Sequence, residues 1–480
     1  MLFNSHIFML LFLPLLLAGW YFLNWKKKFQ LAQGYLIGMS LWFYAYANLQ
    51  YLWLLLFSCL IGWLLSCLPE KIFSEKGKKV LTGVGCVFHL GLLGYFKYSN
   101  FFLENLNTVF HTDFPMLQIL LPVGISFYTF QQLAYLIDRC RGDAPRDSFF
   151  DYLTFMVYFP QLLQGPILLR SEFMGQLKEP ERRRFHAERF SEGIQFFVFG
   201  LAKKVLLADT LAKAVNYGYS NVSMLDSISA LLLAVGYLTE LYFDFSGYCD
   251  MAVGLGKMIG LEVAENFDAP FHSASVKEFW RRWHMTLGRF FTRYVYIPLG
   301  GNRRGKMRTL CNVMIVMLLS GLWHGAAWTF VLWGFLHGVG MIWDNLEHPH
   351  LPKKWMRQAA TFAYVCMTFV FFRAESIAQG VDVLKSIVSL KWNGFVFQMA
   401  SALDMTEFYM ITKALSMKLP GLLSWFWLGI FVVLIAICFR VLSGEKVSGV
   451  VALQRQKGYG RLYPVLLAVL FTWSMISMTG

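Results

Sequence analysis

Charge is scarce in this 480-residue chain, and acidic charge is scarcer than basic charge. Charged residues form only 15% of the sequence, whereas hydrophobic residues form 57% and the mean hydropathy is +0.48. This composition excludes an ordinary soluble protein and predicts a polytopic membrane protein, with the lipid bilayer as its solvent. The net charge of +14 would suggest nucleic-acid binding in a soluble chain. Here the basic residues cluster between apolar runs, as the positive-inside rule describes, so we expect no nucleic-acid partner.

Signals for a metal site and for processing are also lacking. The eight cysteines are scattered, with no CxxC pair and no metal-ligand spacing, so we expect small core residues and no metal. Residues 6–24 lack a basic n-region and a small-residue cleavage site, and the chain starts without an acyl-lipidation signal. We therefore expect a retained first transmembrane helix.

What the sequence has instead is a long series of apolar runs, which predict an all-α fold. Because a spanning helix needs about 20 apolar residues, we expect about eleven transmembrane helices. The candidate spans lie near residues 6–24, 30–46, 50–68, 80–97, 116–137, 192–215, 226–243, 309–323, 325–343, 358–373, 422–440 and 460–478. The basic clusters that should face the cytoplasm lie at residues 26–28, 71–79, 139–146 and 170–189. An even number of crossings separates the first three clusters, which leaves the loop at residues 100–115 outside the cell.

Residues 151–169 lie between two basic clusters that are expected on the same side, so a single crossing cannot join them. Pro160 and Pro166 each remove a backbone donor, and Gln161 and Gln164 are polar, which suits a segment that enters the membrane and returns. We predict a re-entrant hairpin that lines a cavity. The alternative is a short interfacial helix in the plane of the membrane.

Residues 266–308 carry nine Lys or Arg among aromatic residues, which predicts an amphipathic helix rather than a spanning one. Its apolar stripe recurs at steps of three and four residues and comprises Val276, Phe279, Trp280, Trp283, Leu287, Phe290, Phe291 and Tyr294. His284 shares a face with Leu287, so we expect it to point into the protein. For basic residues such as Arg281 and Arg282, anchoring to anionic lipid and clamping of a donor's phosphates are both open.

His324 is an ionisable residue at membrane depth, with no charged residue between Arg308 and Asp344. Such residues are costly to insert and usually handle protons or ligands, although a structural hydrogen bond to a neighbouring helix is the alternative. We expect a helix break at Gly325 that exposes His324 to a central cavity. We expect His337 to be structural or to support the site from behind the residues that touch substrate. Two further histidines, which we expect to be solvated, are His348 and His350.

A third polar cluster interrupts apolar sequence at residues 242–250 and contains Asp244, Ser246 and Asp250. Two carboxylates in such a stretch need partners. Three arrangements are open: pairing with the arginines of 281–304, a proton-linked transport site, or structural hydrogen bonds that hold a helix broken around Gly247.

Three motifs in order carry a family resemblance: YFDFSGYCDMAVG, ENFDAPFHSASVKEFWRRWHMTLGRFFTRYVYIPLGGNR and SGLWHGAAWTFVLWGFLHG. On these residues the chain resembles the membrane-bound O-acyltransferase family. The segments LFNSHIFMLLFLPLLL, LPVGISFYTFQQLAYLID and YFPQLLQGPI make it similar, more narrowly, to the membrane subunits of bacterial alginate and related polysaccharide O-acetyltransferases. The resemblance covers residues 1–350 well, and the remaining residues carry no motif.

The resemblance implies one membrane domain over residues 1–480, with a motif-bearing core at 116–345 and a ring of tilted helices around a tunnel. An acyl group would pass through it from a cytoplasmic donor to a hydroxyl acceptor. His324 would stand at the family's invariant histidine and act as general base. His284, at the second family position, or nearby backbone donors would polarise the acyl carbonyl, and a covalent acyl intermediate is a further alternative. The residues expected to line the tunnel or to bind substrate or donor are Trp323, Asn266, Asp268, Arg281, Arg282, Tyr242, Asp244, Ser246, Asp250, Gln161 and Gln164.

Together these features predict an O-acyltransferase, by default an acetyltransferase, in the bacterial cytoplasmic membrane. No bound cofactor is expected, and the donor co-substrate is either acetyl-CoA or an acyl-carrier thioester, since a basic cytoplasmic face attracts both. The sequence has no extramembrane domain large enough to hold a glycan, so we expect an extracytoplasmic esterase-like partner of the SGNH type to complete transfer to a surface polysaccharide or cell-wall glycan.

Three alternative functions are open, of which one is a catalytically inert assembly scaffold. Within the family, the alternative is D-alanyl transfer to teichoic acids. In another class, a proton-coupled transporter or glycan flippase would use His324, Asp244 and Asp250 as relay residues. The two halves of the chain show no internal similarity, which such a transporter should have.

Overall fold

The computed structural model describes residues 1–67, 75–346, 353–442, 446–457, 460 and 462–478. These residues form helices and connecting segments, with no β-strand among them, which confirms the all-α class. Lys71 of the second basic cluster, His348 and His350 lie outside the described residues.

The helices are numbered here in chain order. The first twelve are α1 (Leu13–Trp25), α2 (Phe29–Asn48), α3 (Leu52–Cys67), α4 (Glu75–Leu93), α5 (Ser99–Phe110), α6 (Ile125–Arg141), α7 (Phe149–Val157), α8 (Phe159–Leu162), α9 (Arg170–Lys178), α10 (Ala187–Ala202), α11 (Asp209–Ser220) and α12 (Ser227–Ile259). The others are α13 (Val276–Arg282), α14 (Met285–Phe291), α15 (Lys306–His324), α16 (Trp328–Asn345), α17 (Lys354–Arg373), α18 (Ile377–Val388), α19 (Phe395–Ser401), α20 (Tyr409–Lys418), α21 (Pro420–Leu442), α22 (Val447–Lys457) and α23 (Leu462–Ser477). A π-helical turn, Lys203–Ala208, joins α10 to α11.

Six helices within the described ranges are long and apolar enough to cross a membrane. They are Phe8–Trp25, Leu49–Cys67, Lys76–Phe110, Ser227–Ile259, Lys306–His324 and Pro420–Val441. This confirms a polytopic helical membrane protein. The other predicted spans also fall wholly or partly on helices, such as the 20-residue α2, and the count of about eleven stays a prediction.

The boundary predicted around residues 100–115 is wrong. The helix continues to Phe110, and residues 111–122 then form an irregular segment instead of the start of a span. Two prolines in this segment withhold backbone donors from any helix. The Asn100 side chain binds both backbone groups of Leu117, at 2.9 and 2.8 Å, which holds the irregular segment against the first turn of α5.

Residues 151–169 do not form one long helix. α7 ends at Val157, the four-residue α8 follows, and the chain is then irregular as far as α9. The Ile167 backbone N–H donates to Thr286 Oγ1 over 3.0 Å. Non-helical backbone is tolerated at membrane depth only where protein buries it, and nearly all of these residues are buried. The re-entrant path itself stays a prediction.

The chain divides into two compact units. The first comprises Met1–Phe197, Met251–Glu265 and Thr286–Pro298, and the second comprises Val198–Asp250, Asn266–Met285 and Leu299–Gly480. The first unit has a core of fully buried phenylalanine rings, formed by Phe3, Phe8, Phe12, Phe43 and Phe159. Both histidines of interest belong to the second unit. The single domain over residues 1–480 stays a prediction.

In the second unit, α15 and α16 form a close helical hairpin. A Cβ atom on Gly321 would lie 2.3 Å from the Phe330 carbonyl oxygen, and one on Gly334 would lie 2.5 Å from the Met317 carbonyl oxygen. Only glycine allows two backbones to approach this closely. The crossing therefore fixes the end of α15, where His324 lies, against the start of α16.

Candidate active site

His324 is the last residue of α15, directly before the chain breaks. Gly325 has extended backbone (φ −160°, ψ 150°), and α16 begins three residues later at Trp328. The predicted break at Gly325 is confirmed. The half-buried imidazole lies among aromatic rings, with centroid distances of 4.9 Å to Trp323, 5.3 Å to Trp333 and 5.1 Å to Phe372. These rings limit the access of water to His324.

His284 lies at a second break, which the sequence did not predict. α13 ends at Arg282 and α14 begins at Met285, and His284 between them has a left-handed backbone with φ of 45°. The single continuous amphipathic helix expected here is wrong, although its apolar stripe is buried as predicted, apart from the half-buried Trp280. The side chain of His284 points inward, and its residue exposure is 1%.

The two histidines face each other in the second unit. Their ring centroids are 6.3 Å apart, and Phe245 of α12 packs edge-on against His284 at 4.7 Å. Trp323 lies 6.2 Å from the His284 ring. The pair predicted from the resemblance is thus brought together, with aromatic walls that a small acyl group could contact.

Hydrogen bonding fixes the state of His284. Its Nδ1 lies 3.2 Å from the Asn266 side-chain oxygen, which can only accept, so Nδ1 carries the proton and donates. Its Nε2 is buried and has no hydrogen-bond partner within the described part of the chain. Burial lowers the pKa of His284 to about 3, because a charged imidazole is poorly solvated there. His284 is therefore neutral at growth pH and offers a lone pair at Nε2.

His337 has a structural arrangement. The Trp280 indole donates to His337 Nδ1 over 3.2 Å, so the proton is on Nε2, which lies 2.9 Å from Thr368 Oγ1. The Thr368 hydroxyl in turn donates to the Val365 carbonyl oxygen. Both ring nitrogens are thus engaged, in agreement with the structural role that the sequence indicated.

The two acidic residues of α12 pair with lysines rather than with arginines of 281–304. Lys203 Nζ lies 2.6 Å from Asp250, and Lys204 Nζ lies 2.5 Å from Asp244. The third open arrangement, a helix broken around Gly247, does not occur, since α12 is continuous from Ser227 to Ile259. A Cβ at Gly247 would lie 2.7 Å from the Gly200 carbonyl oxygen, so this glycine permits a close helix crossing. Sequence analysis missed these lysines. Two adjacent charged residues in an apolar stretch could have indicated them as partners for the two carboxylates.

The remaining candidates near 266–282 are engaged in ion pairs or exposed. Arg282 pairs with Glu278 at 3.0 Å, and Asp268 pairs with Lys446 at 2.8 Å. Arg281 is exposed. A donor-binding role for these residues stays a prediction.

The other predicted lining residues divide between the units. In the second unit, Tyr242 and Ser246 are buried, and the Tyr242 ring packs at 5.5 Å from Phe267. In the first unit, Gln161 is buried and its amide donates to a backbone carbonyl, whereas Gln164 is exposed. A role for these four residues in the chemistry stays a prediction.

Comparison with known proteins identifies the family. The profile of the MBOAT, membrane-bound O-acyltransferase family matches residues 141–379, a range that contains both histidines. The peptidoglycan O-acetyltransferase of Helicobacter pylori is 35% identical over 423 residues, which cover 81% of this chain and 80% of that protein. A probable alginate O-acetylase of Azotobacter vinelandii is 39% identical over 389 residues, which cover 78% of this chain and 76% of that protein.

A more distant relative is a teichoic acid D-alanyltransferase of Streptococcus thermophilus, 28% identical over 253 residues, which cover 50% of this chain and 58% of that protein. The two relatives named as O-acetylating proteins match about four fifths of the chain. The chain belongs to the membrane-bound O-acyltransferase family.

Proposed function

We propose that the protein is an O-acetyltransferase that passes an acetyl group from a cytoplasmic donor across the membrane for O-acetylation of an extracytoplasmic polysaccharide or cell-wall glycan. The observation that carries the proposal is the facing pair of histidines, one neutral and buried, inside an aromatic site. Its support from similarity is that relatives named as peptidoglycan and alginate O-acetylating proteins match about four fifths of the chain.

In the proposed reaction, His324 acts as general base. The acceptor hydroxyl loses its proton to His324, its oxygen forms a bond with the carbonyl carbon, and the carbon–sulfur bond of a thioester donor breaks. His324 then returns the proton to the leaving thiolate. A neutral imidazole suits both transfers, because its ordinary pKa lies near the operating pH.

His284 has a different part in this scheme from the one that the resemblance first suggested. With its Nδ1–H bound to Asn266, it has no second proton with which to polarise a carbonyl. We assign it the role of accepting a hydrogen bond from the acceptor hydroxyl through Nε2, which orients that hydroxyl toward the carbonyl carbon. Trp333, whose buried indole N–H has no acceptor in the described ranges, is the donor that we propose for the carbonyl oxygen.

The donor, the partner and the location belong to the same proposal. Acetyl-CoA and an acyl-carrier thioester both fit the reaction. An extracytoplasmic SGNH-type partner would place the acetyl group on the glycan, and the bacterial cytoplasmic membrane is where both substrates can be reached. D-alanyl transfer is less favoured, because the D-alanyltransferase relative matches only half of the chain. A proton relay through Asp244 and Asp250 is disfavoured, since each carboxylate is already paired with a lysine.

The test is the O-acetyl content of surface glycan in cells that carry wild type, His324→Ala or His284→Ala. We expect His324→Ala to lower acetylation by about 10²–10⁴-fold at normal membrane abundance, as loss of a general base does. His111→Asn is the matched control, because His111 is exposed and its left-handed backbone accommodates asparagine. Full acetylation with His324→Ala would overturn the mechanism, and release of D-alanine instead of acetate from the glycan would favour the other transfer reaction.

A further inference from the structure

The segment from Asn266 to Asp268 holds the break at His284 through two backbone hydrogen bonds. The exposure of Asn266 is 1%, and its backbone oxygen accepts a hydrogen bond from the Met285 N–H over 2.9 Å. Two residues on, the Asp268 N–H donates to the Arg282 carbonyl oxygen over 2.9 Å. These two backbone bonds bracket His284, which explains how a non-glycine residue keeps a left-handed conformation there.

The side chain of Asn266 adds a second constraint, which is chemical. A neutral imidazole has two tautomers, and an acceptor placed at Nδ1 selects the one with the proton on Nδ1. The orientation of the amide is itself set, because Asn266 Nδ2 lies 3.4 Å from the sulfur of Cys249 and donates to it. A reversed amide would present a donor to His284 and would select the opposite tautomer.

The tautomer of His284 determines what its other ring nitrogen, Nε2, can do. With Nδ1 protonated, Nε2 is a bare lone pair, and it is buried without a partner among the residues described. A buried acceptor in this state costs free energy unless something binds to it. The ring faces His324, so a hydroxyl placed between the two rings would donate to His284 Nε2.

We propose that Asn266 is a positioning residue that holds His284 in its Nδ1–H tautomer, so that Nε2 accepts the hydrogen bond of the incoming hydroxyl. This inference rests on the proposed acyl transfer and assigns Asn266 an effect through His284 rather than a contact with the substrate. It replaces the expectation that Asn266 binds substrate or donor directly.

The groups that could disturb the state of His284 are few. His324 of α15 faces it, and Cys249 of α12 lies behind Asn266. Of the charged residues near it in sequence, Arg282 pairs with Glu278, Asp268 pairs with Lys446, and Arg281 is exposed. A carboxylate introduced at position 266 would therefore be the first one in hydrogen-bonding contact with the ring.

Two substitutions separate positioning from mere folding. Asn266→Leu keeps the backbone bonds and the approximate volume but removes the acceptor, so we expect transfer to fall about 10–100-fold at normal abundance, as loss of an outer-shell partner does. Asn266→Asp keeps an acceptor at Nδ1 and adds a charge that raises the pKa of His284. The activity of Asn266→Asp should approach that of wild type at alkaline pH. The fall of its transfer rate on the acid side should begin at a higher pH than in wild type, because protonation of His284 removes the Nε2 lone pair.

The measurements are initial rates of acetyl transfer in membrane vesicles across pH, with wild type and His324→Ala alongside. A wild-type rate for Asn266→Leu, or an acid limb of Asn266→Asp that coincides with that of wild type, would overturn the positioning role. If wild type itself transfers no acetyl group, the proposed function fails instead.

The tautomer is then read independently of activity. The ¹⁵N NMR spectrum of histidine-labelled protein, with His284→Asn used to assign the signal, should show a protonated Nδ1 in wild type and a mixture in Asn266→Leu. A wild-type signal from the Nε2–H tautomer would overturn the inference.

Discussion

At the scale of single residues, Trp333 has an indole N–H that donates no hydrogen bond within the described part of the chain. Its ring is fully buried, packs 5.3 Å from His324, and its N–H has no acceptor within the described ranges. Buried indole N–H groups usually find a partner. A carbonyl oxygen of a bound acyl group would supply that partner, and the bond would strengthen as the oxygen gains negative charge.

We therefore expect Trp333→Phe to lower turnover by about 10²-fold, while the KM for the donor changes little, since such donors act mainly in the transition state. Phenylalanine retains an aromatic ring beside His324, so abundance should stay normal. The measurement is kcat and KM in vesicles at saturating acceptor. The control is Trp392→Phe, which alters an exposed indole. An unchanged kcat would show that the Trp333 N–H plays no part in catalysis.

The sequence predicts a functional role for residues whose type is unusual in the surrounding sequence. His324 was recognisable because an ionisable group in apolar sequence is costly, and His284 through its motif. The role of Asn266 and the donor of Trp333 were not recognisable, because each depends on which atoms meet after folding. Lys203 was missed for the same reason: its carboxylate partner, Asp250, lies 47 residues away.

At the scale of helices, the α15–α16 hairpin depends on two glycines. The nearest atoms to a Cβ at Gly321 or Gly334 are backbone oxygens, which cannot rotate away as a side chain can. Because His324 ends α15, any separation of the two helices displaces it from Trp333.

Gly334→Ala should therefore destabilise the protein by about 1–3 kcal/mol, the range for overpacking, and lower activity together with stability. The measurement is the thermal midpoint of detergent-solubilised protein, followed by size-exclusion chromatography. Gly91→Ala in α4 is the matched control, because a Cβ there meets nothing within 4 Å and alanine favours helix. Equal midpoints for both variants would contradict the close crossing.

Helix breaks were the least predictable feature of the elements. The break at Gly325 was foreseen, but glycine alone is ambiguous, since Gly247 lies inside a continuous helix where Gly200 of α10 approaches. The break at His284 has no glycine or proline, and it exists because a distant segment supplies backbone hydrogen bonds to it. Local sequence pattern cannot contain that information.

At the scale of the whole molecule, charge and helix order together assign sides of the membrane. α2 and α3 separate the first two basic clusters, and the long helix of α4 and α5 followed by α6 separates the second from the third. We expect each of these helices to cross the membrane, so that each pair returns the chain to the same side. We therefore expect the irregular segment of residues 111–122 on the opposite side from all three clusters, which is the extracytoplasmic side under the positive-inside rule.

This orientation is tested by labelling single cysteines with a membrane-impermeant maleimide. Asp113→Cys should react in intact cells, whereas Arg146→Cys should react only after the cytoplasmic membrane is permeabilised; both positions are exposed in the protein, so access depends on the membrane. The parent carries Cys311→Ser, which removes the exposed native thiol, and its residual labelling is subtracted. Reaction of Arg146→Cys in intact cells, or protection of Asp113→Cys there, would reverse the orientation. That result would place the 139–146 cluster outside, against its charge.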